Sequence, residues 1–271
     1  LFSPWTEAAG LILQGRVPPL RPVGHLPVNL RPQDVDDAMA IQDAVHQLLA
    51  EAGLGQLVGS KIGCTTRVMQ HYLGMEHPCS GGIFDCTVRH VEGTFDFDAF
   101  LHVGVECEIA AILQAPIRAA DAPHDLANIT ECVGAMSAAI EIVDDRYVDF
   151  TRRIPDWRTW IADDFFGAGA VLGGPVTNWP ELDLPSLQGQ MRINGTRVGS
   201  GQGRDIINGH PLQALVWLAN DLAQRGRDLP PGWIIMLGSV VQTKWVNAGD
   251  RVEVEVDGLG TAVARFEATE R

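Results

Sequence analysis

The sequence predicts an α+β protein: a helical N-terminal portion, residues 1–57, followed by a β-rich body, residues 58–271, together forming one compact unit. Three observations predict it. Ala38, Ile41, Val45, Leu48 and Leu49 keep the three-four spacing of an amphipathic helix. From Val58 onward the pattern changes to short β-type runs separated by glycine. Two turn signals, Asn194-Gly195 and Asp257-Gly258-Leu259-Gly260, each stand between segments that read as paired strands. At 271 residues the chain is long enough to bury a full core as one domain.

The elements follow in order. Pro32 lies near the start of the amphipathic helix and Gly53 beyond its end. Before it, Pro18, Pro19, Pro22, Pro27 and Pro32 predict an extended connection from Arg16 onward. Gly59 to Thr66, GSKIGCTT, is a short β-type segment with Lys61 between glycines that allow close backbone approach. His77 to Phe84, HPCSGGIF, reads as a turn that closes over a site or redirects the chain. Val103 to Ala110 and Ser137 to Asp144 read as strands, and Asp144, Asp145 and Arg146 as a local salt-bridged strand end. Gly199, Gly201 and Gly203 predict a glycine-rich connection, since no GK[ST] follows to make a phosphate loop. Leu212, Leu215, Leu218, Ala219 and Leu222 share a helix face that ends before Gly226, and Arg251 to Val256 pairs with Thr261 to Phe266.

A net charge of −14 argues against nucleic acid and anionic membrane as partners. No apolar run reaches membrane-spanning length, and LFSPWTEAAGLILQG carries neither a basic leader nor a small-residue cleavage site. Five cysteines, an odd number with no CxxC, fit a reduced cytoplasm. The histidines have no paired ligand spacing, which argues against zinc; His71 and His77 stand near Lys61 in sequence as weak candidates for a supporting role.

The chemistry concentrates in VGVECEIA. On a strand, side chains two apart share a face, so Glu106 and Glu108 point together while Leu101, Val103, Val105, Cys107 and Ile109 form an apolar row opposite. An isolated pair of this kind most often lies on the wet face of a sheet. Glu141 shifts the balance, because it interrupts a second apolar run between Ile140 and Ile142. Three carboxylates from two strands would ligate a hard divalent cation, Mg2+ or Mn2+, and leave roughly half of an octahedral shell for water and substrate. Near such a site Lys61 becomes a candidate for pairing with a carboxylate substrate or for proton transfer.

In chain order, GSKIGCTT with Gln70 and Leu73-Gly74 after it, VECEIA, AAIEIVDDR, IADDFFGAGAVLGG, GHPLQALVWLANDLAQRG and IIMLGSVV resemble the 2-keto-4-pentenoate hydratase branch of the fumarylacetoacetate hydrolase superfamily, from about Gly59 to the C-terminus. The resemblance implies a fumarylacetoacetate-hydrolase-like mixed β-sandwich or roll. It implies Glu106, Glu108 and Glu141 as metal ligands, Lys61 as the active-site lysine, and Ser239 beside the substrate carboxylate. Asp163 matches the aspartate of an Ala-Asp-Asn motif, with Asp164 in the place of the asparagine, and is expected to bind substrate. One departure stands out: the residue after Pro78 is Cys79, where the branch usually carries an aspartate, and Asp85 is the candidate to replace it in catalysis. The implied activity is hydration of a 2-hydroxydienoate to a 4-hydroxy-2-oxo acid. The alternatives are decarboxylation of a vinylogous 2-oxo acid of the 2-oxo-3-hexenedioate type, or a non-catalytic relative that binds a 2-oxo acid. A homo-oligomer is the expected assembly.

Overall fold

In the computed structural model, which describes residues 4–268, the helical start consists of α1 (Pro4–Leu13) and α2 (Val35–Leu49). Asp34 opens α2 by accepting the Asp37 N–H on its side chain, a cap worth about 1 kcal/mol. The predicted face of α2 is the buried one, with Ala38, Ile41, Val45 and Leu49 all inside. Between the helices the proline-rich connection is irregular apart from a parallel bridge of Val23 to Tyr147 and the short 3-10 turn Val28–Leu30.

The rest of the chain runs β1 (Leu57–Gly63), α3 (Arg67–Leu73), β2 (Cys79–Phe84), β3 (Val88–His90), β4 (Glu92–Asp96), β5 (Val103–Leu113), α4 (Leu126–Cys132), β6 (Val133–Asp144), α5 (Trp157–Ala162), β7 (Gly167–Leu172), β8 (Gln188–Ile193), β9 (Thr196–Gln202), α6 (Leu212–Gln224), β10 (Ile234–Trp245), β11 (Arg251–Val256) and β12 (Gly260–Glu267). All twelve strands join one mixed sheet in the order β2-β1-β10-β5-β6-β7-β3-β4-β12-β11-β8-β9. Both hairpins form where expected: Asn194 and Gly195 take φ of 51° and 80° in a tight turn, and β11 pairs with β12 from Arg251↔Arg265 to Val256↔Gly260. The helix α6 also ends before Gly226 as its face predicts.

Two glycine-rich segments differ from expectation. The stretch through Gly199 and Gly201 is strand β9, not a connection, and its glycines answer a tertiary demand. The sheet curls until β9 lies over β10, and a Cβ on Gly201 would sit 1.9 Å from the Val240 carbonyl oxygen. HPCSGGIF likewise ends in strand β2, antiparallel to β1, where a Cβ on Gly81 would meet the Asp164 carbonyl oxygen at 2.6 Å.

Curling gives the roll an inside. Val105, Cys107 and Ile109 of β5, Ile140 and Ile142 of β6, and Val252 and Val254 of β11 pack there, joined by Leu215 and Leu218 of α6. A second apolar cluster forms where Ile12, Ile41 and Val45 of the first two helices meet Phe84, Trp160 and Phe165 of the body. The N-terminal helices thus bury their faces against the body, which favours one compact unit.

Candidate active site

Across the β5–β6 ladder Glu106 stands directly opposite Glu141, and Glu108 stands opposite Ala139 on one side and Ser239 on the other. The alternation that buries Val105, Cys107 and Ile109 inside the roll turns Glu106 and Glu108 to the other face of the sheet. One carboxylate oxygen from each of Glu106, Glu108 and Glu141 lies within 4.8 Å of the others; among the described residues this is the one group of three such side chains able to hold a metal. Two of the carboxylates are oriented by hydrogen bonds. The Gly238 N–H donates to Glu108 Oε2 at 2.7 Å, and Thr243 Oγ1 donates to Glu106 Oε1. Gly238 has φ of +119°, a region that favours glycine, and sits at an irregularity in β10 that frees its N–H from the ladder. The GS pair of Gly238-Ser239 could have flagged this donor, whereas nothing in the sequence marks Thr243.

The cluster fits a divalent cation. Like charges directly opposed across a ladder are destabilising. Burial, with Glu141 adding, pushes Glu106 up to about 7, and burial with both neighbours pushes Glu108 well above its ordinary value. Glu141 Oε1 is buried, and the Lys61 ammonium, 3.1 Å away, is the cation nearest to it. Oxygen-only donors in this number suit a hard divalent ion.

The pH dependence of the metal-free protein follows. Glu106 is raised in the folded state, so its contribution is fully present below about 4.5 and is lost as the pH rises through about 7. Metal-free wild type should therefore lose several degrees of Tm between these limits relative to Glu106→Gln. Parallel melting curves for the two proteins across that range would refute the like-charge cluster.

Lys61 on β1 pairs with Met236 of β10 and is buried. Its Nζ donates to the Phe165 carbonyl at 2.5 Å, lies 3.1 Å from Glu141 Oε1, and stands 5.1 Å from the Phe165 ring centroid. Burial alone would lower its pKa; Glu141, with Cys79 and Glu106, outweighs burial and leaves it raised, so the group is an ammonium at neutral pH. A cavity of about 140 Å³ opens beside it, lined in part by Glu141, Met236, Arg16, Phe84 and Phe100.

The Phe165 carbonyl is presented by an unusual turn. Asp164, Phe165 and Phe166 have φ of 55°, 45° and 68°, left-handed values that cost non-glycine residues about 1–2 kcal/mol each. Asp163, expected to touch substrate, is instead fully buried: Arg16 Nε lies 3.0 Å from its Oδ1 and Arg146 Nε donates to its Oδ2 at 3.0 Å. Two arginines occupy its carboxylate, so it braces the cavity wall. Arg146 also corrects the expected local salt-bridged strand end, since it reaches across to Asp163 while Asp144 accepts the Leu101 and His102 N–H groups. Asp164 is held low: burial opposes its charge, but His46 and Arg16 outweigh burial.

The remaining expected residues lie at different distances from this centre. Ser239 pairs with Glu108 in the ladder, yet its hydroxyl donates to Val241 O at 2.5 Å. Asp85 is exposed, accepts the Gln56 N–H, and does not line the cavity. Its place at a surface turn separates it from the glutamates. Cys79 is buried near Lys61, and burial pushes its thiol well up against the pull of that ammonium; Cys64 is pushed up to about 12 by burial. Neither thiol is a base at neutral pH. His71 is exposed, and His77 sits against Pro78 O and the edge of Trp157 rather than Lys61.

Comparison with known proteins identifies the family and the fold. The family model described as fumarylacetoacetate (FAA) hydrolase C-terminal matches residues 91–267. The chain is similar to 2-keto-4-pentenoate hydratase 1 of Dechloromonas aromatica (strain RCB), with 32% identity over 96% of this chain and 97% of that one. It is also similar to 4-oxalocrotonate decarboxylase of Pseudomonas putida, with 32% identity over 85% of this chain and 84% of that one. The solved structure of 4-oxalocrotonate decarboxylase from Pseudomonas putida G7, complexed with magnesium and adipate, superposes with a TM-score of 0.87 at 28% identity, covering 97% of both chains. With its mixed roll, its helical start and its order of motifs, the chain belongs to the fumarylacetoacetate hydrolase family, in the branch that holds the 2-keto-4-pentenoate hydratases and 4-oxalocrotonate decarboxylases.

Proposed function

We propose that this protein is a divalent-metal-dependent lyase that hydrates a 2-hydroxydienoate, by way of its 2-oxo-enoate form, to a 4-hydroxy-2-oxo acid. The observation that carries the reading is the convergence of Glu106, Glu108 and Glu141 beside the Lys61 ammonium, with Glu141 and Lys61 lining a cavity. The names of the similar proteins, hydratases and decarboxylases, support the lyase class. Mg2+ or Mn2+ held by the three glutamates would supply a Lewis acid for the charge that develops on the 2-oxo group, an effect worth several kcal/mol.

Lys61 does the rest that the geometry supports. Fixed on the Phe165 carbonyl, its Nζ keeps a positive charge at the cavity floor, steadies negative charge on the substrate oxygen, and holds a proton within reach of the substrate carbons. The apolar sides contributed by Phe84 and Phe100 suit the unsaturated tail. We further propose a cytoplasmic homo-oligomer, the assembly and compartment expected from the sequence.

One observation favours a second reading. The position after Pro78 that usually carries an aspartate, here the first residue of β2, holds the neutral thiol of Cys79, and loss of CO2 from a vinylogous 2-oxo acid needs no base to activate water. Incubation with magnesium and either 2-hydroxypenta-2,4-dienoate or 2-oxo-3-hexenedioate separates the two: gain of one water from the first supports hydration, and CO2 from the second supports decarboxylation. Turnover of neither, with pyruvate still bound, would leave a non-catalytic 2-oxo acid binder.

The Cys79 position yields its own expected result. Cys79→Asp should raise hydration by about 10²-fold or more, the effect of a positioned general base, with metal affinity unchanged. A wild type that hydrates at ordinary rates and loses nothing on Cys79→Ala would assign water activation to another group.

A further inference from the structure

We infer that Arg16 and His46, both from the N-terminal helical portion, are positioning residues for Lys61, acting through the Asp164–Phe165–Phe166 turn; this rests on Lys61 being the active-site lysine of the proposed lyase. Three consecutive left-handed residues without a glycine do not hold themselves, and two of them are phenylalanines. The restraint comes from outside the turn. His46 Nε2 donates to Asp164 Oδ1 at 2.6 Å, the Gly82 N–H donates to the same oxygen at 2.7 Å, and Arg16 Nη1 donates to Asp164 Oδ2 at 2.8 Å. Arg16 Nη2 then reaches Gly167 O at 2.7 Å, so one guanidinium grips the turn on both flanks. The carbonyl between those grips, on Phe165, receives the Lys61 ammonium. Asp164, His46 and the Arg16 side chain are all buried, which makes each bond strong and each loss felt.

The chain of contacts thus runs from the helical portion to the turn and from the turn to Nζ; the polar partners of Arg16 are Asp163, Asp164 and Gly167 and that of His46 is Asp164, although Arg16 also lines the cavity. A residue acting this way should change how well Lys61 works without changing what the site binds.

Two variants test it, His46→Gln, which keeps a donor but weakens the grip, and Arg16→Gln, with Arg16→Lys as the conservative partner. His46→Gln should lower kcat by about 10- to 100-fold while KM and Mg2+ affinity stay within about 3-fold; Arg16→Gln, at a residue that also lines the cavity, should lower kcat alike and is judged by Lys61 methylation rather than by KM, and Arg16→Lys should recover part of the loss. Independently of turnover, Lys61 in the metal-free protein should undergo reductive methylation several-fold faster in the Gln variants, read by mass spectrometry of the Lys61 peptide. Unchanged kcat with unchanged Lys61 methylation overturns the inference. So does a parallel loss of kcat, substrate binding and Tm with Lys61 methylation unchanged, the mark of a general structural role. The methylation arm stands even if wild type turns over neither candidate substrate, so failure of the lyase reading and failure of the positioning role remain distinct. Should Arg16→Gln fail to fold, His46→Gln decides the matter alone.

Discussion

Glu108→Gln should lower turnover by about 10³-fold or more and remove Mg2+ binding while leaving the Tm of the metal-free protein within a few degrees of wild type. The activity loss corresponds to several kcal/mol of lost Lewis-acid assistance. The stability should hold because of what surrounds the side chain. Glutamine keeps an oxygen for the Gly238 N–H, keeps the volume, and leaves Val105, Cys107 and Ile109 undisturbed on the opposite face. It also takes one of three like charges out of a buried cluster that already resists ionisation. Calorimetric titration with Mg2+ and a thermal melt in chelator are the measurements. Retained metal binding with full activity would remove the metal centre from the proposed mechanism, and a collapse of metal-free stability would mean that Glu108 is structural.

Arg146→Ala should have the largest effect on stability, about 3–5 kcal/mol, or roughly 10 °C in Tm. Arg146 is buried and donates to Asp163 Oδ2, Asp163 O and Gly167 O; removing it leaves the fully buried Asp163 carboxylate with Arg16 as its remaining ion-pair partner. Arg16 is shared with Asp164, so two buried carboxylates are left to one arginine, and removing one partner of a buried pair costs more than the pair itself contributes. Asp163→Asn should behave alike, losing melting temperature while KM for a 2-oxo acid stays near wild type in whatever fraction folds. A variant with normal Tm and a strongly raised KM would return Asp163 to the substrate.

What the sequence disclosed and what it hid divide along the range of the interactions. Glu106, Glu108 and Glu141 were legible because strand alternation is local and charges inside apolar runs are rare. The face of α2 and both hairpins were legible for the same reason. Lys61 took its meaning from the order of motifs around it, since a lysine between glycines on a strand says little alone. Long-range demands stayed hidden. Gly199 and Gly201 looked like a loop because their purpose is to let β9 cross over β10, which no local pattern records. Arg16 sits at the head of a proline-rich connection with no periodicity, yet its guanidinium lies at Asp163 and Asp164. Asp163 was visible as a motif, but whether its carboxylate met substrate or arginine depended on chain segments far from it.

Strand β10 slips against β5 at three points between Met236 and Lys244, and the first slip is what turns the Gly238 N–H toward Glu108. The spacing of residues there is therefore as binding as their identity. Deleting one residue between Met236 and Ser239 would close the first of these slips and return the amide before Ser239 to the ladder, away from Glu108. Insertions and deletions, which the hairpin at Asn194-Gly195 could absorb, are thus excluded from a stretch that reads as plain apolar strand.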